Sequence, residues 1–182
     1  MDQDIAALVV EMKDRQDIYG CIMRYCRGVD RLDRALLLSA YHPDGIDDHG
    51  PYVGPLDGFA DYVFQLHGGM QERTLHHVTN HYCELDGNVA HAESYFLFYC
   101  LNKAAPLYTM ASGRYIDLFE KRNGRWGIVE RICLVDVRDE TLSPVTGFEG
   151  DEFYVTPRRD RNDPSYMRPL HVDRSRFTNP TR

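Results

Sequence analysis

The sequence predicts an α+β fold in which N-terminal helices close a strongly curved antiparallel sheet into a cone. Two observations carry the prediction. Up to His67 the apolar residues recur at helical spacing, and from Arg73 to Val137 the chain turns rich in β-branched and aromatic residues punctuated by hairpin signals. A third observation adds the curvature. The strand-like segments are two to three times the usual ~5–6 residues, and strands of that length cannot stay flat.

Taken in order, Ile5, Leu8, Val9 and Met12 form one helical stripe, and Ile18, Ile22, Tyr25, Cys26 and Val29 form a second, with Gly28 near its end. A short apolar segment from Ala35 to Tyr41 is stopped by Pro43, because proline disfavours helix at the residue before it. The stretch HPDGIDDHGPYVGP reads as a loop with room for a short strand. Leu56 to His67 forms a third amphipathic helix ended by Gly68 and Gly69. Asp86-Gly87 and Asn123-Gly124 then separate two pairs of strands, and a looser turn from Asn102 to Pro106 joins the pairs into a four-stranded meander. Residues 1–140 are expected to form the domain and 141–182 an extended arm, packed on its own domain or on a neighbouring subunit.

Composition narrows the function. The 182 residues are one domain's worth of chain. A net charge of −7 repels phosphate backbones, and the local arginine excess from Arg158 to Arg182 is diluted by Asp160, Asp163 and Asp173, so no nucleic-acid partner is expected. No run approaches the ~20 apolar residues of a membrane span, and the opening MDQDIAALVVEMKD lacks the basic start of a signal peptide. Five cysteines without a CxxC pair disfavour a zinc ribbon or a thioredoxin-type site and fit a reducing cytoplasm. No GxGxxG opens a helix after a strand and no HExxH occurs, so neither a dinucleotide nor a metal cofactor is expected.

Histidines remain as the chemical signal. His76, His77 and His81 cluster in sequence, but simple alternation puts His77 and His81 about 13 Å apart on one strand face and His76 on the other, with Val78 and Asn80. A histidine inside the cone, held by a carboxylate, is a general base near neutral pH. Asp30 continues the apolar stripe of the second helical segment, where a carboxylate is costly unless paired. It either meets such a histidine or begins the polar turn that follows. Asn80 could bind a substrate oxygen or merely a loop, Tyr25 could face ligand or core, and Arg114 could meet an anion or a structural carboxylate. Glu130 and Asp136 share a face with Trp126, Ile128, Ile132 and Leu134, which suggests either a pocket or a paired interface. The last strand alternates apolar residues onto both faces (Val129, Cys133, Val135 and Val137 against Ile128, Ile132 and Leu134). A homo-oligomer, most simply a two-fold dimer, is therefore expected.

A "GVD" closing the second helical stretch, "YHPDGIDDHGPYVGP", "TLHHVTNHYCELDGNVAHAESY", "SGRYIDLFEKRNGRWGI" and "RRDRNDPSY" together resemble the SnoaL-like branch of the nuclear transport factor 2-like superfamily. The resemblance implies a cone-shaped α+β barrel. It also implies an Asp–His pair at Asp30 and His76, as in hexachlorocyclohexane dehydrochlorinases and scytalone dehydratases. His49 falls where the dehydratases carry a catalytic tyrosine, Val29 where they carry another, and no histidine stands near Met110 to Ser112 where they have their second. The function so implied is a cofactor-independent lyase or isomerase acting on a hydrophobic cyclic or aromatic molecule, with Asp30 and His76 catalytic and Tyr25, His49, Asn80 and Arg114 binding substrate. Small subunits of aromatic-ring dioxygenases and small-ligand-binding proteins share the fold, so a non-catalytic role stays open.

Overall fold

A 30-residue helix, α1 (Asp2–Arg31), begins the chain in the computed structural model, which describes residues 2–139 and 160–162. The two stripes merge into one helix because the segment between them, KDRQD, has no glycine or proline. It is also laced by i,i+4 ion pairs, Lys13 with Asp17 and Arg15 with Glu11. The stripes have different fates. Ile18, Cys21, Ile22, Tyr25, Cys26 and Val29 are buried in the core, whereas Ile5, Leu8, Val9 and Met12 stay exposed on the projecting first turns. Leu32, in the left-handed region at φ 52°, ends α1, and the amide of Asp33 donates back to the Gly28 carbonyl at 2.8 Å. Gly28 itself is a close-approach residue, since a Cβ there would lie 2.6 Å from the backbone nitrogen of Leu37.

Asp33 caps the short helix α2 (Arg34–Leu38), its carboxylate accepting from the Leu36 amide at 3.1 Å. The segment read as a loop with room for one short strand holds two, β1 (Tyr41–Asp48) and β2 (Val53–Pro55). Pro43 fits because it falls at the pairing irregularity between Tyr41 and Ile46. Helix α3 (Leu56–Gly69) buries Leu56, Phe59, Ala60, Val63 and His67. Strands β3 (Gln71–Asp86), β4 (Val89–Asn102), β5 (Tyr108–Arg122) and β6 (Arg125–Asp139) form the expected meander. Asn123 and Gly124, both at positive φ, make the β5–β6 turn.

The sheet corrects the four-stranded antiparallel expectation. It has six strands in the order β2-β1-β6-β5-β4-β3 and is mixed, because β1 runs parallel to β6. Its edges β2 and β3 do not meet, so the barrel is not closed by hydrogen bonds. Pairing irregularities bend the long strands, at Val78/His81 in β3 and at Ser112/Gly113 and Leu118/Phe119 in β5 against β6. Gly113 is required at its bend, where a Cβ would meet the Leu134 carbonyl oxygen at 1.9 Å. The helices cover the concave face, and a core of Ile22, Tyr25, Phe59, Phe96, Phe119 and Trp126 fills the cone.

The bulges also overturn the simple alternation read for β6. Trp126 and Ile128 point inward with Arg131 and Cys133, while Glu130, Ile132 and Leu134 point outward. Among the described residues no helix is long and apolar enough to cross a membrane. The expected arm over 141–182 lies outside the described residues except for 160–162, where Arg161 pairs with Asp33 at 3.0 Å.

Candidate functional site

The buried stripe of α1 carries Asp30 into the cone, where it meets the inner face of β3. One carboxylate oxygen accepts from His76 Nδ1 at 2.7 Å and the other from the His76 backbone amide at 2.9 Å. Burial would raise the Asp30 carboxyl, but the hydrogen bonds of the His76 ring and amide and of Thr74, with the charge the ring carries whenever it is protonated, outweigh it and hold the group below its ordinary value. Because Asp30 takes the proton on Nδ1, Nε2 of the neutral ring is left as the acceptor. It has no hydrogen-bond partner among the described residues, and the His76 side chain lines a cavity of about 700 Å³. Phe96, Phe98, Val63 and Leu66 make the walls largely apolar.

A second histidine–carboxylate pair stands on the same cavity. Asp47, fully buried on β1, accepts from Tyr41 at one oxygen and from His49 Nδ1 at the other, the latter at 2.7 Å. Burial of His49 opposes its charge, yet the hydrogen bond it donates to Asp47, with Cys133 nearby, pushes its pKa up to about 9. His49 is therefore an imidazolium at neutral pH. Tyr25, fully buried, places its hydroxyl 3.3 Å from His49 Nε2, and its ring lies edge-on to His76 with centroids 6.4 Å apart. Beneath them the Arg131 guanidinium sits 4.2 Å from the ring centroids of both Tyr25 and Tyr115 and is held by a fully buried bidentate pair with Asp117. Burial pushes the Tyr25 and Tyr115 phenols well above their ordinary value, so both are neutral.

Of the six residues singled out in the sequence, Asp30, His76, Tyr25 and His49 converge here, and two do not. Asn80 falls in the β3 bulge, which sets Thr79 and Asn80 together opposite one residue of β4 and leaves Asn80 exposed. The bulge instead restores His81 to the inner face, bonded to Ser94 at 2.9 Å, with burial pushing its pKa down. Arg114 lies on the outer sheet face in a bidentate pair with Asp136 at 2.9 and 3.0 Å and a bond to Glu93 at 3.0 Å. The blander ion-pair reading is the right one there, and it also accounts for Asp136.

The structure adds residues that sequence reasoning missed. Asp47 had a legible signal, since it stands two before His49 in DDHG and residues i and i+2 of a strand share a face. His67 lines the cavity from α3, its ring 5.6 Å from that of His76, with Nδ1 bonded to Gln71. Cys133 and Tyr115 line it from β6 and β5, and no local pattern distinguishes them from core. Among the described residues no group of three or more His, Cys, Asp or Glu side chains is placed to hold a metal ion.

The model of the SnoaL-like domain matches residues 10–132. The chain belongs to this family. SnoaL-like chains share the nuclear transport factor 2-like fold, and solved structures agree. A Novosphingobium aromaticivorans protein named for scytalone dehydratase is 16% identical with a TM-score of 0.66, the alignment covering 76% of this chain and 97% of that one. LinA is 17% identical with a TM-score of 0.67 over 76% of this chain and 93% of its own. A nuclear transport factor 2-like protein from Salmonella enterica is 18% identical with a TM-score of 0.64 over 76% and 99%. At these identities the likeness is one of fold. A search of curated proteins finds no match to this SnoaL-like chain.

Proposed function

We propose that this chain is a cofactor-independent lyase or isomerase, in which His76 removes a proton from a hydrophobic cyclic substrate. One observation carries the reading: a carboxylate buried at the end of an apolar helical stripe takes both the Nδ1 proton and the backbone amide of one histidine, leaving Nε2 bare at an apolar cavity. This is the arrangement that fixes a base's tautomer and stabilises its charged form. The cationic His49, hydrogen-bonded to Asp47 on the same cavity, supplies the complementary charge for a carbonyl oxygen or a departing group. A dehydratase and a dehydrochlorinase among the structural neighbours agree with proton removal followed by elimination.

The direct test is solvent exchange. Cyclic ketones such as cyclohexanone and 1-tetralone, incubated with the protein in deuterated water, are expected to lose their α-proton NMR signal. His76→Ala should slow the exchange by ~10² or more. Exchange absent for every ketone, or equal in the variant, overturns the reading.

We also propose that the outer sheet face, where Leu75, Tyr95, Leu97, Ile132 and Leu134 are exposed around the Arg114 ion pairs, is covered by a second copy of the chain. A self-complementary two-fold contact would bury both apolar patches at once.

A further inference from the structure

We propose that Cys133, His49 and Asp47 form a thiol–imidazole–carboxylate nucleophile site on the cavity wall, open to soft carbon electrophiles such as enones and primary alkyl halides. Strand register brings the three together. β1 runs parallel to β6 with Asp47 opposite Arg131 and Asp48 opposite Ile132, so the chain leaving β1 sets His49 beside Cys133. Cys133 pairs with Tyr115 of β5, is only half-buried, and lines the same cavity as His49. The two side chains interact, the sulfur being one of the neighbours that favour the charged imidazole. Asp47 holds Nδ1 at 2.7 Å and is itself fixed by Tyr41, so proton exchange with the thiol falls to Nε2, whose other neighbour is the Tyr25 hydroxyl at 3.3 Å. A sulfur, a histidine beside it and a carboxylate orienting that histidine are the components that turn an inert thiol into a nucleophile.

The remaining cysteines lack this setting. Cys21, Cys26 and Cys100 are buried, and burial pushes the Cys21 thiol up and that of Cys26 up to about 12. Cys83 is half-buried like Cys133, but burial raises its pKa and its charged neighbours are Arg15 and Glu84, with no histidine. It serves as the internal comparison.

With an alkyl halide, the sulfur forms the S–C bond as the carbon–halogen bond breaks. Halide departs with the bonding pair, the thiol proton having left to solvent to give a thiolate paired with the His49 imidazolium, which keeps its own proton. With an enone, sulfur adds to the β-carbon and the proton passes from His49 to the α-carbon, so the adduct is a neutral thioether and nothing is oxidised or reduced. The site uses neither Asp30 nor His76, so it stands or falls independently of the general-base reading.

The test treats the full chain with iodoacetamide and, separately, with 2-cyclohexenone, and follows each cysteine by peptide mass mapping over time. Cys133 is expected to label first with both reagents, about tenfold or more ahead of Cys83. His49→Gln should slow labelling of Cys133 by a similar factor and leave Cys83 at its wild-type rate, which also reports that the variant is folded. Should that variant label all five cysteines at one rate, as an unfolded chain does, the wild-type order decides alone. Cys83 labelling before or together with Cys133, or Cys133 reacting at an unchanged rate in a folded His49→Gln, overturns the proposal.

Discussion

Asp30→Asn replaces one atom and reverses the logic of the dyad. The native carboxylate accepts two N–H groups, His76 Nδ1–H at 2.7 Å and the His76 amide at 2.9 Å. An amide has one carbonyl oxygen, which must take the backbone N–H because that donor cannot change. The Asn NH₂ then faces Nδ1, and the imidazole relieves the donor–donor clash by moving its proton to Nε2, which ends its use as a base. On stability, a charge-assisted hydrogen bond is worth ~1.5–3 kcal/mol. A neutral bond of the reversed sense returns about 1 kcal/mol of it, for an expected loss of about 1–2 kcal/mol. Asp30→Ala strands both N–H donors and also removes the hydrogen bond with the Thr74 side chain, so it should cost more, about 2–6 kcal/mol at ~1–3 for each unsatisfied N–H, with the loss of the Thr74 bond on top. Turnover on any substrate found should fall ~10²–10⁴-fold in Asp30→Asn, on the precedent of losing a general base or its tautomer. Long-range ¹H–¹⁵N correlation spectra read the tautomer directly, and urea denaturation reads the stability. Asp30's carboxyl is held below its ordinary value of 3.8, so its stabilisation is present above that pH and is lost as pH falls through the lowered pKa. The acid limb of the stability curve should flatten in Asp30→Asn. A wild-type neutral His76 carrying its proton on Nε2, or a variant with an unchanged tautomer, refutes the reasoning.

Further predictions concern the other features. His49, raised from 6.5 to about 9, contributes stability that is complete below pH 6.5 and lost as pH rises through about 9. The wild type should therefore lose up to about 3 kcal/mol more than His49→Gln between pH 6 and pH 10 in urea titrations, and parallel losses count against a cationic His49. Gly113→Ala puts a methyl 1.9 Å from the Leu134 oxygen and 2.9 Å from the Phe96 ring, and should destabilise by at least ~2 kcal/mol. Gly69→Ala, with nothing within 4 Å, should be neutral or stabilising, and thermal melts of the two variants distinguish a bend that needs glycine from a general effect of the substitution. Sedimentation equilibrium is expected to give a dimer at micromolar concentration and a monomer for Leu97→Asp on the outer face, and a wild-type monomer ends the second-copy proposal.

Much of the site was legible because one of its members violates local expectation. Asp30 stands on an apolar helical stripe, where a carboxylate is costly unless paired, and the family resemblance supplied His76 as its partner. His76 sits in a strand that closes on that helix. Asn80 was misplaced because alternation assumes an unbroken pleat, and the β3 bulge shifts every side chain after Val78 by one. The same failure at Leu118/Phe119 hid the inward turn of Arg131 and Cys133. Arg114 shows the reverse case, where an outward residue was free to be read as functional until its partners Glu93 and Asp136 were seen on neighbouring strands.

Periodicity and turn chemistry thus determined on their own that helices precede a long antiparallel meander, while the costly aspartate left Asp30 either paired inward or opening a polar turn, a choice that the family resemblance tipped inward. These are properties of residues close in sequence, and their physics is local. Tertiary structure decided the rest. β1 became a strand because β6 offered it a parallel edge, a pairing across more than eighty residues of chain that no spacing rule reports. That pairing carries Asp47 and His49 to the cavity and sets them beside Cys133. The bulges chose which face each later residue shows, since one extra residue in a strand reverses the pleat without leaving a mark in the sequence pattern.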